Sequence, residues 1–511
     1  MISRRKASTI NAMMAMSAQI VKLIGQFVVQ TVFIRTLGAT YLGANGLFTN
    51  LITFLSFAEL GIGFAFSYEL YKPLAEHDEI LVSAVMGMFR KIYNTIGTVI
   101  LIGGLLLSYF VPYLTKGDSG VDHIRMYFVL FLMSSVVSYF FTYNRSLLIA
   151  DQLGYIDSRN QLFFSLFKYV FQIFFLLFFN SYVGFLIVQI LTNLLSNIWI
   201  TRLTKKRYPF LDVHTKKKPS KIIRDRLKKN VVGTVSSKVG SVVVNGTDNI
   251  LISKFIGLSM VGLYSNYSMI VAGITTVLSQ VLNSVIASFG NLGVMEGNNK
   301  RKQINLFDKF VYFNALFVFF IGLAMYGIFQ PFIHLWLGNS YKLSNFTLLI
   351  IVVNFVLSQF RPALFLINAY GLFWGYRYKS IVEAIVNFLL SLYLVMNTSL
   401  GIRGVLLGTI IGNIVVNSWW DPLILFSGAY KIGIGKFYFK FWMYILLFLT
   451  LLLMEAKLVD MYQFVPVGIV SFILYSVAVI MVVGICLFIG FIGTSGQKEA
   501  LRMLHRILRG R

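Results

Sequence analysis

Apolar stretches of about 20 residues follow one another along almost the whole chain, each long enough to cross a hydrocarbon layer roughly 30 Å thick. Lipid supplies no hydrogen-bond partners, so such a chain must bundle helices or close a barrel. The runs are continuous rather than alternating, which excludes the barrel. Mean hydropathy of +0.76, with 57% hydrophobic and 13% charged residues, leaves no soluble alternative. Spans are expected near 11–34, 42–66, 92–111, 126–149, 162–179, 182–201, 231–253, 261–285, 310–330, 346–368, 380–397, 402–427, 438–456 and 464–492. The expected fold is an all-α integral membrane protein of about fourteen helices.

One half of the chain repeats the other. RTLGATYLG carries Arg35, Gly38 and Gly43, and KFIGLSMVG carries Lys254, Gly257 and Gly262 at the same spacing, an offset of 219 (254 − 35). Lys91, Gly104 and Pro112 are matched by Lys309, Gly322 and Pro331; Gly184, Asn193, Asn197 and Trp199 by Gly404, Asn413, Asn417 and Trp419. Three matches in order at a nearly constant offset mark a duplicated unit. An even number of spans per unit gives both copies the same orientation, and two homologous lobes with a seam between them are the architecture of a transporter. The expected organisation is an N-lobe at 1–204, a basic linker at 205–229, a C-lobe at 230–430, two added helices within 431–494 and a basic tail at 495–511.

A net charge of +26 suggests a nucleic-acid protein until its placement is considered. Arg4–Lys6, Lys72, Arg90 and Lys91, the run from Arg202 to Lys229, Lys300–Lys302, Arg377 and Lys379, Lys431 to Lys440 and the tail occupy alternate loops. This distribution puts both termini in the cytoplasm and makes nucleic acid an unexpected partner. The linker suits either anionic phospholipid headgroups or a partner enzyme. In the tail, Leu501, Leu504 and Leu508 share one helical face and Arg502, Arg506 and Arg509 the other, so it should lie on the inner membrane surface. The first span has no small-residue cleavage site and is expected to be retained. Cys486 stands alone, which excludes an internal disulfide and a cysteine metal site. Trp336, Trp419 and Trp420, near span ends, read as interfacial anchors.

The first span stacks Gln19, Lys22, Gln26 and Gln30 on one face, and the seventh stacks Lys238, Ser241, Asn245 and Asn249 with the same steps, Asp248 beside the last. The repeat maps each member of one stripe onto the other. An ionised lysine at mid-bilayer costs about 2.5–3.5 kcal/mol or more, which favours two stripes facing each other across a watery cleft. The competing reading is that the amides only hold helices together. Other intramembrane charges are Glu59, Arg145, Lys168, Asp248, Arg361 and Glu383. Glu59, Asp248 and Glu383 are candidates for ion coupling; Glu383, whose repeat counterpart is near Lys168, equally suits a cross-lobe ion pair that only fixes packing. No GxxxxGK[ST], HExxH or GxSxG motif occurs, so neither an ATP motor, a cofactor, a metal site nor an enzyme is expected.

ELGIG at Glu59–Gly63, LYKPLA at Leu70–Ala75, TDNILIS at Thr247–Ser253 and VGLYSNY at Val261–Tyr267 resemble the polysaccharide-transporter branch of the multidrug/oligosaccharidyl-lipid/polysaccharide exporter superfamily. The resemblance implies two six-helix lobes in a V around a central cavity, with helices 1, 2, 7 and 8 at its border. It also implies a flippase in the bacterial cytoplasmic membrane whose cargo is an oligosaccharide repeat unit on undecaprenyl diphosphate, working beside a polysaccharide polymerase and glycosyltransferases. A diphosphate leaving water needs cations, which Lys22 and Lys238, with Arg145 and Arg361, are placed to supply; Gln26, Gln30, Asn245 and Asn249 suit sugar hydroxyls. A drug or cation antiporter of the same fold would instead need an acidic cavity. A polymerase or glycosyltransferase would need a large outer loop, whereas the longest here run from about Val111 to Arg125 and Gln330 to Asn345.

Overall fold

The computed structural model describes the backbone of residues 4–59, 62–117, 120–215, 217–295, 300–370, 372–494, 496–498 and 501–502. Side chains are described over the same residues except 4–10, 12, 57–58, 64, 229–230, 232–245, 283–295, 300–302, 368–369, 373–374 and 376–377. The helices are α1 (Arg4–Leu55), α2 (Ile62–Ala75), α3 (Glu79–Phe110), α4 (Ile124–Tyr139), α5 (Thr142–Ala150), α6 (Gly154–Phe179), α7 (Tyr182–Arg207), α8 (Lys221–Phe255), α9 (Leu258–Met295), α10 (Lys300–Leu337), α11 (Asn345–Gln359), α12 (Pro362–Ala369), α13 (Phe373–Asn397), α14 (Ile402–Gly412), α15 (Ser418–Leu425), α16 (Gly435–Tyr462) and α17 (Ile469–Gly490). Among the described residues there is no strand. Among the described residues eleven helices are long and apolar enough to cross a membrane, or twelve if the α4–α5 pair, bent by 41°, counts as one span. The expected fourteen are not reached on this measure. The run at 346–368 breaks before Pro362, whose missing N–H ends α11, yet it still counts as one span (Asn345–Ile367), while the run at 231–253 is not among those counted. The first two runs are joined in α1, whose only non-helical residue is Gly38.

The chain packs as two units, Met1–Ser265 and Asn266–Arg511. The packing boundary falls later than the repeat boundary because α8 is tied into the first unit. Asn50 Nδ2 donates to the Gly246 carbonyl at 3.2 Å, the Lys116 amide donates to the Ser253 carbonyl at 3.1 Å, and Ser253 Oγ donates to the Leu114 carbonyl at 2.9 Å.

The repeated sequence signature has a structural meaning. Gly38 (φ 82°) and Gly257 (φ 130°) both adopt backbone angles that side chains disfavour, and each turns the chain from one helical limb into the next. Five residues on, Gly43 and Gly262 bring the second limb of α1 against the start of α9. A Cβ on Gly43 would stand 1.8 Å from the Leu258 carbonyl oxygen, and one on Gly262 would stand 1.9 Å from that of Ala39. Ala39 and Leu258 are repeat partners, so the crossing is a pseudo-twofold contact with each copy's glycine under the other's carbonyl. The same register recurs elsewhere: Gly184 of α7 packs on Phe175 of α6, and Gly404 of α14 on Leu394 of α13. Asn193 donates to the Ser134 carbonyl (2.9 Å), and its counterpart Asn413 to Asn354 Oδ1 (3.4 Å). Trp336 is buried against Phe332 rather than anchored at an interface, their ring centres 5.6 Å apart. The tail residues Leu504, Arg506, Leu508 and Arg509 lie outside the described residues.

Candidate functional site

The first limb of α1 presents Lys22 and Gln26 exposed and Gln19 and Gln30 half-buried. What seats this limb is a glycine beside the stripe. Gly25 leaves room for the Tyr169 ring of α6, whose nearest carbon stands 2.2 Å from where a Cβ would be. The Tyr169 hydroxyl donates to the Lys22 carbonyl at 3.4 Å. This packing brings Lys168 into the neighbourhood. Its ammonium sits 5.2 Å above the centre of the Tyr169 ring, the ring whose hydroxyl reaches the Lys22 backbone. Among the described residues neither lysine has a carboxylate partner. Lys22 lies about 14 Å of helix beyond Met13, and Lys168 about 21 Å beyond the start of α6. Both are inside apolar spans (Met13–Leu55 and Gly154–Phe179). Lys168 was legible as an intramembrane charge but not as a site residue, because helix periodicity cannot say which spans are neighbours.

On the seventh span, the side chains of Lys238, Ser241 and Asn245 lie outside the described residues. Asn249 rests against the second limb of α1, its Nδ2 3.7 Å from where a Gly46 Cβ would be, and Asp248 is buried. The described end of this stripe therefore sits in helix packing.

Arg145 and Arg361 are each bound into an ionic cluster inside their own unit. Arg145 pairs with Asp157 of α6; its other N–H groups reach Ser196 Oγ (2.8 Å), Asn197 Oδ1 (3.1 Å) and Asn160 Oδ1 (3.4 Å). In the second unit, Arg361 Nη2 meets Asp421 Oδ2 at 2.6 Å, and Lys379 Nζ meets both Asp421 Oδ1 (3.3 Å) and Glu383 Oε2 (2.7 Å). Asn417 donates to Glu383 Oε1 at 2.7 Å. Asn197 and Asn417 are repeat partners, as are Asn160 and Lys379, so both clusters occupy the same place in the duplicated unit. They sit at a bend, between α4 and α5 in one copy and α11 and α12 in the other, where helix ends leave backbone groups to satisfy. Glu383 thus pairs with Lys379 four residues away, an ion pair on one helix face that needs no second lobe. Glu59 ends the turn after α1 and accepts from the Tyr93 hydroxyl at 3.4 Å.

Paired helical repeats, multiple apolar spans and intramembrane charge define a multi-pass membrane protein of transporter fold. The chain belongs to the polysaccharide biosynthesis protein family, whose model matches residues 8–288. An inward-facing multidrug resistance MATE family transporter of the MOP superfamily is 17% identical, with 83% of this chain and 99% of that chain covered and a TM-score of 0.62. The lipid II flippase MurJ, in an inward closed conformation, is 13% identical, with 94% and 99% covered and a TM-score of 0.61. A MOP superfamily transporter from Pyrococcus furiosus, described as having a binding pocket of reverse polarity, is 15% identical, with 84% and 97% covered and a TM-score of 0.55. At these identities the likeness concerns the fold alone. No curated protein sequence matches the chain.

Proposed function

We propose that this protein is a flippase that moves an oligosaccharide repeat unit, linked to undecaprenyl diphosphate, from the inner to the outer leaflet of a bacterial cytoplasmic membrane by alternating access. The observation that carries this reading is the pair Lys22 and Lys168, two cations at membrane depth with no carboxylate partner among the described residues. Held against lipid they would be costly; beside a diphosphate they supply the charge that the headgroup loses on leaving water. Gln26 and Gln30, above Lys22 on the same limb, suit sugar hydroxyls. In this reading Lys238, Asn245 and Asn249 continue the face from the repeat-related helix. Arg145 and Arg361, already tied to acids, position helices rather than bind cargo, and so does Glu383. In the same reading Glu59 and Asp248 serve ion coupling. Both termini lie in the cytoplasm, the linker rests on anionic phospholipid, and glycosyltransferases and a polymerase act before and after the step.

The test uses cells whose surface polysaccharide depends on this chain. The double variant Lys22→Ala/Lys168→Met should reduce surface polymer by more than tenfold at unchanged membrane abundance, and Lys22→Arg should retain a substantial share. Normal polymer in the double variant would remove both lysines from the path. Efflux of cationic dyes by the unaltered chain, with polymer independent of it, would favour the drug or cation antiporter instead.

A further inference from the structure

We infer that α3 and the basic linker form a second binding site, for a phosphate ester that carries free hydroxyl groups. A cavity of about 530 Å³ lies between the middle of α3 and Val213–Thr215 of the linker. It is independent of the Lys22 face and of any assumption about cargo.

The site is built, not incidental. Ser83 accepts from the Asp212 amide (3.3 Å) and donates to the Phe210 carbonyl (3.4 Å), docking the linker on α3. Gly87 lets the linker backbone come close, since a Cβ there would stand 3.3 Å from the Val213 carbonyl oxygen. Arg90 Nη1 then donates to His214 Nδ1 at 2.9 Å, and the side chain of Asp212 caps the His214 amide at 2.9 Å. A mobile connector would have no need of these four hydrogen bonds and this close approach.

The lining divides by chemistry. On one side stand Arg90 and Lys91, neither with a carboxylate partner among the described residues. Further along the same helical face come Asn94, Thr95 and Thr98. Thr95 and Thr98 donate their hydroxyl protons to the carbonyls of Lys91 (3.0 Å) and Asn94 (2.8 Å), so what they offer a ligand is oxygen lone pairs. Asn94 Oδ1 is buried with no hydrogen-bond partner among the described residues, an acceptor whose desolvation they do not compensate. A bare phosphate would satisfy the cations and leave three acceptors facing an anion. A phosphate ester bearing hydroxyls satisfies both halves: phosphate on Arg90 and Lys91, hydroxyl donors on Asn94, Thr95 and Thr98. The same chemistry comes from a phosphoglycerol lipid headgroup or from a soluble polyol phosphate.

The experiment is native mass spectrometry of the full-length chain released from nanodiscs of mixed phosphatidylglycerol, phosphatidic acid and phosphatidylcholine. The unaltered chain should retain phosphatidylglycerol in preference to both others. Lys91→Gln and Arg90→Gln should each weaken that retention by about tenfold. Lys91 is exposed, so its replacement leaves the fold intact. Asn94→Leu should erase the preference for phosphatidylglycerol over phosphatidic acid while keeping that of both over phosphatidylcholine. In a second arm, glycerol phosphate is titrated into phosphatidylcholine nanodiscs. Binding there that is sensitive to Lys91→Gln assigns the site to a soluble ester; lipid retention without it assigns the site to a headgroup. Equal retention of all three lipids with no glycerol phosphate bound, or retention indifferent to both charge variants, would overturn the inference.

Discussion

The crossing of Gly43 and Gly262 allows a quantitative prediction. Adding one methyl at either position places carbon 1.8 or 1.9 Å from a backbone carbonyl oxygen of the opposing helix. Close carbon–oxygen contacts between helices sit near 3.3–3.6 Å, so the limbs must part by roughly 1.5 Å at this point. The obstacle is backbone, which cannot rotate aside as a side chain would. Overpacking of this kind costs about 1–3 kcal/mol, and small residues at such crossings are what hold membrane helices together in the absence of a hydrophobic drive. Gly43→Ala and Gly262→Ala should therefore each lower the thermal stability of the purified protein, and by similar amounts, because each methyl meets the repeat partner of the other's obstacle. The double variant should cost less than the sum by about 1 kcal/mol, since the separation that admits the first methyl also opens space for the second. Gly435→Ala, where no atom lies within 4 Å and φ is ordinary, is the control and should be neutral or mildly stabilising. Melting followed by size-exclusion chromatography reads all four. Strictly additive losses, or single variants as stable as the parent, would refute the shared crossing.

The two ionic clusters make further predictions of the same kind. Arg145→Met should destabilise by about 3–5 kcal/mol because it strands Asp157, and adding Asp157→Leu should recover much of the loss; a double variant no better than the single would mean that the cluster contributes through its shape alone. In the second unit, Asp421→Asn should cost more than Glu383→Gln, since Asp421 contacts both Arg361 and Lys379 closely whereas Glu383 stands 4.0 Å from Arg361. The order of their melting points checks this, and the reverse order would contradict it.

Much of the site's surroundings was already legible in the residues, though unevenly. The glycine signatures could be found by spacing, yet spacing could not say that Gly38 and Gly257 turn the chain while Gly43 and Gly262 let helices cross. Arg145 and Arg361 looked like available cations because their acids, Asp157 and Asp421, are 12 and 60 residues away. Trp336 looked like an anchor, and the fold buried it. Lys168 drew attention as an intramembrane charge and a counterpart of Glu383, and what links it to Lys22 is the ring of Tyr169 filling the space beside Gly25.

Hydropathy, charge alternation and the 219-residue register by themselves determined a duplicated helical membrane protein, because transfer to lipid and helical periodicity are local properties summed along the chain. Which charges are neutralised was decided only in three dimensions. An ion pair depends on a few ångströms between side chains on different helices, and that distance is set by how glycines and aromatic rings let those helices approach.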